Sequence, residues 1–264
     1  MKDRTIAIIQ ARSSSTRLPK KVLKNLAGKP MIYHIVERAK FCKNVDEVIV
    51  ATSTEESDDE LANYCNINNI NLIRGSLNNV LERFKKTLEK FPADYFVRIT
   101  GDCPLICPIF IDKQIDALKL YDADFIKTNV QSSLVEGQGV NSKKTLELIY
   151  NNTSDKDDLE HVGSKYISKN LNKFRIVKFN LPRYLCSSNY RITVDEPKDY
   201  ELISKIYKTL YKGKPFDLRD AIYWLENNPE EAKLNRDISH SKINKILIKK
   251  IESSKINYCG IVNW

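Results

Sequence analysis

The sequence has no run of eighteen apolar residues, so no stretch of it reads as a helix that crosses a bilayer. It has no C-x-x-C pair, and its six cysteines, Cys42, Cys65, Cys103, Cys107, Cys186 and Cys259, are dispersed. Cys103 and Cys107 are near neighbours but lack the further His and Cys that a zinc site needs, so the thiols read as reduced and mostly buried. Histidine is scarce: His34, His161 and His240 are the three. Neither G-x-x-x-x-G-K-[ST] nor G-x-G-x-x-G occurs, which removes the two glycine-rich phosphate loops. RNA-recognition aromatic pairs and zinc-finger spacings are also missing, although a net charge of +9 invites a nucleic-acid reading. Of the 43 cations only 12 are Arg, and the Lys residues are spread through nearly every segment. A generally Lys-rich composition with a field that attracts small anions accounts for this better than a nucleic-acid surface. The chain enters a strand almost at once, without a cleaved leader, and a cytoplasmic protein is expected.

What is present is enough for one large α/β domain over 1–264: 264 residues, 42% of them hydrophobic. Strand-like apolar runs stand at 5–9, 47–52, 71–74, 94–100 and 124–127. Helical spacing follows the first four, starting near Pro30, Ser57, Asn78 and Pro108. This alternation predicts a three-layer fold, a mostly parallel sheet with helices on both faces. From about Val130 to Pro182 the alternation breaks into helices at 143–150 and 157–169 and a strand at 174–179, which reads as an inserted arm. The sheet pattern is expected to return at 190–194, before closing helices at 197–211 and 218–226. An arm this small cannot bury its own core, so a partner subunit in a homodimer is expected to cover it.

Straight after the first strand comes Gln10-Ala11-Arg12-Ser13-Ser14-Ser15-Thr16-Arg17-Leu18-Pro19-Lys20-Lys21, four cations among four hydroxyls. Such a loop at a strand end offers charge-assisted donors to a polyphosphate; a merely solvated basic loop is the alternative. Two acids follow later strands. Asp102, in Thr100-Gly101-Asp102-Cys103-Pro104-Leu105, and Asp195, in Val194-Asp195-Glu196-Pro197, sit where open α/β sheets bind ligands. Each precedes a Pro-started helix, so each could simply be a helix cap.

These residues carry a resemblance. The stretch ARSSSTRLPKKVL, followed by Gly28-Lys29-Pro30, resembles the A-R-x-x-S-x-R-[LI]-P-x-K-x-L signature of cytidylyltransferases that activate sugars with CTP. The likeness is to the spore-coat polysaccharide biosynthesis protein F branch, and it extends from about Thr5 to His240. Arg74-Gly75-Ser76 with 78–84 resembles that branch's R-G-S-x-D-D-V-L-x-R-F element, with Asn78 and Asn79 at the usual acids, and Glu160-His161-Val162 resembles its E-H-V helix. Family membership implies transfer of CMP from CTP to a sugar acid or a phosphorylated acceptor, with release of pyrophosphate, for a surface polysaccharide.

The resemblance also implies roles. Ala11, Arg12, Ser13, Arg17, Lys21, Arg74, Thr100 and Asp102 would bind the nucleotide, Lys20 standing where relatives tolerate small residues. Asp102 and Asp195, matching G-D-x-P-L and V-D-x-P-x-D, would hold Mg²⁺, which takes one or two carboxylates together with phosphate oxygens. Arg12, Arg17, Lys21, Asp102 and Asp195 form the catalytic set. Glu136, Gln138, Asn141 and His161 would face the acceptor, with a plain helix-surface role as the alternative for His161. Here the chain departs from the pattern: where relatives read D-G-L-D-V-E, it has Glu136-Gly137-Gln138-Gly139-Val140-Asn141, with Gly139 and Asn141 in place of acids. The competing readings are another nucleotidyl- or glycosyltransferase of the same fold, separable by its choice of base, and a basic RNA-binding or scaffold protein, separable by salt-sensitive oligonucleotide binding.

Overall fold

The computed structural model describes residues 3–129, 133–186, 190–238 and 256–264; His240 and Val130 lie outside the described residues. Its ten strands are β1 (Thr5–Gln10), β2 (Asn25–Leu26), β3 (Lys29–Pro30), β4 (Glu47–Ser53), β5 (Asn71–Gly75), β6 (Tyr95–Thr100), β7 (Phe125–Thr128), β8 (Gln138–Ser142), β9 (Ile176–Asn180) and β10 (Tyr258–Asn263). The ten α-helices are α1 (Met31–Lys40), α2 (Asp59–Ile67), α3 (Val80–Lys90), α4 (Pro108–Tyr121), α5 (Lys143–Tyr150), α6 (Lys156–His161), α7 (Ser164–Lys169), α8 (Pro197–Leu210), α9 (Leu218–Asn227) and α10 (Pro229–Ala232).

Eight strands form one sheet in the order β10-β9-β7-β8-β6-β1-β4-β5. All neighbours are parallel except β8, which runs antiparallel between β6 and β7. The strand interiors are apolar on both sides because both faces are covered. Ala7, Ile9, Val50, Val97 and Ile99 face α1, α2, α4, α8 and α9. Ile6, Ile8, Ile49 and Phe96 face α3, α5 and α7. The expected three-layer, mostly parallel α/β sheet is therefore present.

Several elements differ from the sequence expectation. The segment 130–182 contributes β8 and β9 to the central sheet, and its Leu146, Ile149, Val162, Tyr166 and Phe174 are buried against Ile6, Ile8 and Phe96. It buries its apolar side chains on its own subunit. The single helix expected at 157–169 is two, α6 and α7, because Val162 and Gly163 both take left-handed backbone (φ 52° and 76°) and break it. A Cβ on Gly163 would lie 2.3 Å from Ile149 Cγ2, so glycine is required there on both counts. Residues 190–194 form no strand. Both sides of β6 are already taken by β1 and β8, and the segment makes a single backbone bond to that strand's end, from Val194 N–H to Asp102 C=O at 2.8 Å.

What fixes this irregular segment is a buried ionic cluster. Asp199, fully buried in α8, accepts from Arg191 Nε (2.9 Å), Asn235 Nδ2 (2.8 Å) and the backbone N–H groups of Asp195 (3.0 Å) and Glu196 (2.9 Å). Removing one partner of a buried pair strands the other charge away from water. Asp199→Ala is expected to cost about 3–5 kcal/mol of stability in urea unfolding; a loss below about 1 kcal/mol, the range of surface pairs, would show that the cluster does not hold the fold.

Candidate active site

The loop after β1 is shaped by another buried carboxylate. Asp58 accepts from Ser13 N–H (2.5 Å), Ser53 N–H (3.2 Å) and the Ser53 hydroxyl, tying the loop to the end of β4. The Ser13 carbonyl in turn accepts from Ser15 N–H (2.9 Å) and Lys20 N–H (3.0 Å), closing the loop on itself. Gly101 completes the packing beneath. Its N–H donates to Gln10 C=O at 2.9 Å, and a Cβ there would lie 2.9 Å from the same oxygen, so only glycine lets the ends of β1 and β6 approach this closely.

These contacts open a cleft of about 660 Å³ at the carboxyl ends of β1 and β6. Its wall brings together Ala11, Arg12, Arg17, Lys21, Thr100, Asp102, Asp195 and His161, residues up to 184 positions apart. Within it Lys21 Nζ lies 2.9 Å from Asp195 Oδ1 and 3.5 Å from Asp102 Oδ2, and donates to Val194 C=O at 2.9 Å. Arg17 reaches Asp195 at 3.1 Å and Glu196 at 3.4 Å, and Arg12 reaches Glu160 of α6 at 3.3 Å. Lys20 turns away to Glu60 at 2.6 Å.

Neither acid is a helix cap. The N-cap of α4 is Cys107, and that of α8 is Glu196, in a capping box with Asp199. Asp102 and Asp195 are thus left to converge on one ammonium from two segments of the chain. Among the described residues no third Asp, Glu, His or Cys joins them in a metal-binding group. That donor set fits Mg²⁺, a hard cation that keeps waters and completes its shell with phosphate oxygens, and the Lys21 ammonium marks a point both carboxylates reach.

Other expected residues are placed differently. Ser13 is buried behind the loop, where its N–H serves Asp58. Arg74 is outside the cleft wall; it donates to Ser53 C=O (2.8 Å) and Glu55 C=O (3.1 Å) and pairs with Asp59 (2.6 Å), bracing the start of α2. A second cavity of about 280 Å³ shares Arg98, Thr100 and His161 with the cleft and also contains Gln138, Gly139 and Asn141. Gln138 borders it, but its side-chain oxygen accepts from Cys107 N–H at 2.7 Å, so it braces α4. Glu136 lies apart from both cavities, accepting from Ser133 N–H at 3.2 Å. His34 is buried with its Nε2 2.7 Å from Leu26 C=O.

Two cations in the wall went unassigned in the sequence. Arg83, 2% exposed, donates to the carbonyls of Ser76 (2.5 Å) and Leu77 (3.0 Å), and burial pushes its pKa down to about 10. Arg98 interrupts the apolar run of β6, and burial lowers it likewise to about 10, so it stays charged at neutral pH. A lone Arg in a strand that should be apolar on both faces was the signal for it.

The sequence matches the cytidylyltransferase family over residues 6–228. The chain belongs to that family. Its activity class is that of a CTP-dependent nucleotidyltransferase. Spore coat polysaccharide biosynthesis protein SpsF of Bacillus subtilis is 30% identical over 229 residues, 85% of this chain and 95% of its own. An uncharacterized protein of Methanocaldococcus jannaschii is 34% identical over 242 residues, 91% of this chain and 98% of its own. Among solved structures, a cytidylyltransferase from Leptospira borgpetersenii superposes with a TM-score of 0.80 at 29% identity, covering 90% of this chain and all of that one. The motif resemblance and these matches agree on the family.

The cation cluster gives this cytidylyltransferase a defined acid response. Burial favours the neutral form of Asp195, but Lys21, Arg17 and Arg191 outweigh it and hold the pKa below the ordinary 3.8. A depressed folded-state pKa means that stabilisation from the ionised group is complete above 3.8 and is lost as pH falls through the lowered value. The stability gap between wild type and Asp195→Asn, from urea unfolding, is therefore expected to hold from about pH 6 to about pH 4 and to close below that. A gap already closing at about pH 6 would contradict the assignment.

Proposed function

We propose that this cytidylyltransferase transfers CMP from CTP to a small anionic acceptor, a sugar acid or a phosphorylated compound, and releases pyrophosphate. We further propose that the product serves surface-polysaccharide synthesis in the cytoplasm and that the enzyme acts as a homodimer, readings that rest on the family resemblance. The observation that carries the chemistry is the convergence of Arg12, Arg17, Lys21, Asp102 and Asp195 on one cleft beside a second cavity of acceptor size.

In this reading Arg12 and Arg17 exchange their carboxylate partners for the β- and γ-phosphates, and Lys21 meets the α-phosphate. Asp102 and Asp195 would hold Mg²⁺, which supplies positive charge at the phosphates that the protein's cations alone do not. The acceptor, seated in the second cavity against Asn141 and His161, points its oxygen into the cleft. Its attack forms a new bond to the α-phosphorus as the bond to the bridging oxygen breaks, and pyrophosphate departs with its charge still matched by Arg12 and Arg17. Little covalent work falls to the protein, so positioning and charge stabilisation carry the rate.

A pyrophosphate-release screen with Mg²⁺, CTP or UTP, and panels of sugar acids and phosphorylated acceptors tests the reaction. Turnover is expected with CTP only; activity with UTP alone would replace the base assignment. Arg17→Ala and Lys21→Ala should lower kcat/KM by roughly ten- to a thousand-fold, since a charge-assisted contact is worth about 1.5–3 kcal/mol and part of it forms only in the transition state. Asp102→Asn should lose Mg²⁺-dependent turnover with the fold intact by circular dichroism. Normal kinetics in all three variants would return the loop to a solvated role.

A further inference from the structure

We infer that Arg98, with Gly139 opposite it on β8, forms the seat for the acceptor's anionic group, so that residue 139 sets which acceptors enter. This rests on the cytidylyl-transfer reading and names the group by which its acceptor is recognised. Among the described residues walling the second cavity, Arg98 is the one Arg or Lys, and no Asp or Glu is present. Its Nε donates to Gln10 Oε1 at 2.8 Å and Nη1 to His161 C=O at 3.2 Å, which fixes the guanidinium plane. Among the described residues no carboxylate forms an ion pair with it, whereas Arg12, Arg17 and Lys21 each face one. Arg98 also borders the cleft, where Asp102 acts on it through space, but on the cavity side no carboxylate stands among the described residues, and a held cation there suits an oxyanion that the ligand brings.

The register explains why the charge is open. In the antiparallel pairing of β6 with β8, Arg98 stands directly across from Gly139. Residues facing each other in this way hold their Cβ atoms about 4.5–5.5 Å apart, within reach of an ion pair. A Cβ at 139 would meet nothing within 4 Å, so the space in front of Arg98 that a side chain there would enter is open. Phe96, two residues before Arg98, borders the second cavity alone, and Asp102, four residues after, borders the cleft alone. A molecule lying in the cavity with its reactive oxygen near Asp102 must pass the guanidinium, which places its anionic group close to the attacking oxygen.

The test uses the full chain with the cleft filled by Mg²⁺ and a non-hydrolysable CTP analogue. Pyruvate and inorganic phosphate serve as minimal carboxylate and phosphate probes, read by the ring-proton signals of His161, which borders both cavities. Wild type should show a saturable shift with at least one probe. Arg98→Gln and Gly139→Asp should each weaken it about tenfold or more, the scale of a lost charge-assisted hydrogen bond, while the analogue affinity of Gly139→Asp, which lies outside the cleft wall, stays within about threefold of wild type by calorimetry. A response to pyruvate alone points to a carboxylate acceptor, and to phosphate alone a phosphorylated one; either supports the seat. No saturable shift in wild type, or wild-type probe binding by Gly139→Asp, would overturn it. A purely bracing role for Arg98 would instead lower the melting temperature and analogue affinity of Arg98→Gln and leave Gly139→Asp unaffected. If wild type fails to bind the analogue, the cytidylyl-transfer reading falls, and the same titration without it still reads the seat.

Discussion

Two carboxylates, Asp102 and Asp195, share the Lys21 ammonium, and the arrangement of the whole cleft follows from that contact. Like charges from separate chain segments do not approach without a cation between them. Lys21 can stand there only because the loop after β1 is folded back, with Ser13 N–H on Asp58 and Lys20 N–H on the Ser13 carbonyl. Asp195 can stand there only because Arg191 and Asp199 hold an otherwise irregular segment against α8. Asp102 arrives from the end of β6, whose close approach to β1 depends on Gly101. Three pieces of chain distant in sequence are thus brought to one charge.

The resulting electrostatics suit an exchange of partners. Each cation that faces the cleft from the phosphate loop is already oriented by a carboxylate: Arg12 by Glu160, Arg17 by Asp195 and Glu196, Lys21 by Asp195 and Asp102. Preorganised charge costs little rearrangement when a substrate charge replaces the protein's own, and this is where electrostatic catalysis gains over water. The same pairing limits promiscuous anion binding, because a ligand must displace several carboxylates at once. In the proposed reaction a triphosphate would carry enough charge to do so, and the two acids it freed would be the ones to hold a hard divalent cation.

The βα alternation of the first half was legible because each strand there is buried on both faces and each helix carries a clear apolar stripe. Legibility failed where tertiary pairing overrode local pattern. β8, with Gly139 and Asn141 at its half-exposed positions, has too little apolar content to read as a strand, yet it fills the gap between β6 and β7. The run at 190–194 reads as a strand, but no free edge of β6 awaits it. Motif and strand-end position pointed to the loop after β1, Asp102 and Asp195, and the structure brings them to one cleft. Arg74 and Ser13, expected at the nucleotide from motif position, lie outside the cleft wall and brace the start of α2 and the loop after β1, a distinction that motif position does not carry.

The acceptor side was the least legible part of the site, for a physical reason. Nucleotide chemistry depends on charged groups at strand ends, which stand out against apolar runs. The second cavity is walled mostly by neutral residues from β6, β8, α5 and α7, and the place of Gly139 opposite Arg98 appears only from the antiparallel register. In the proposed reaction this division would separate the two halves: the loop and the paired acids follow β1 and β6 and precede α8, while Gly139, across from Arg98, lies on β8. On the proposed reaction, a side-chain change at 139 on β8 would alter which anion is received and leave the contacts of Lys21 with Asp102 and Asp195 in place.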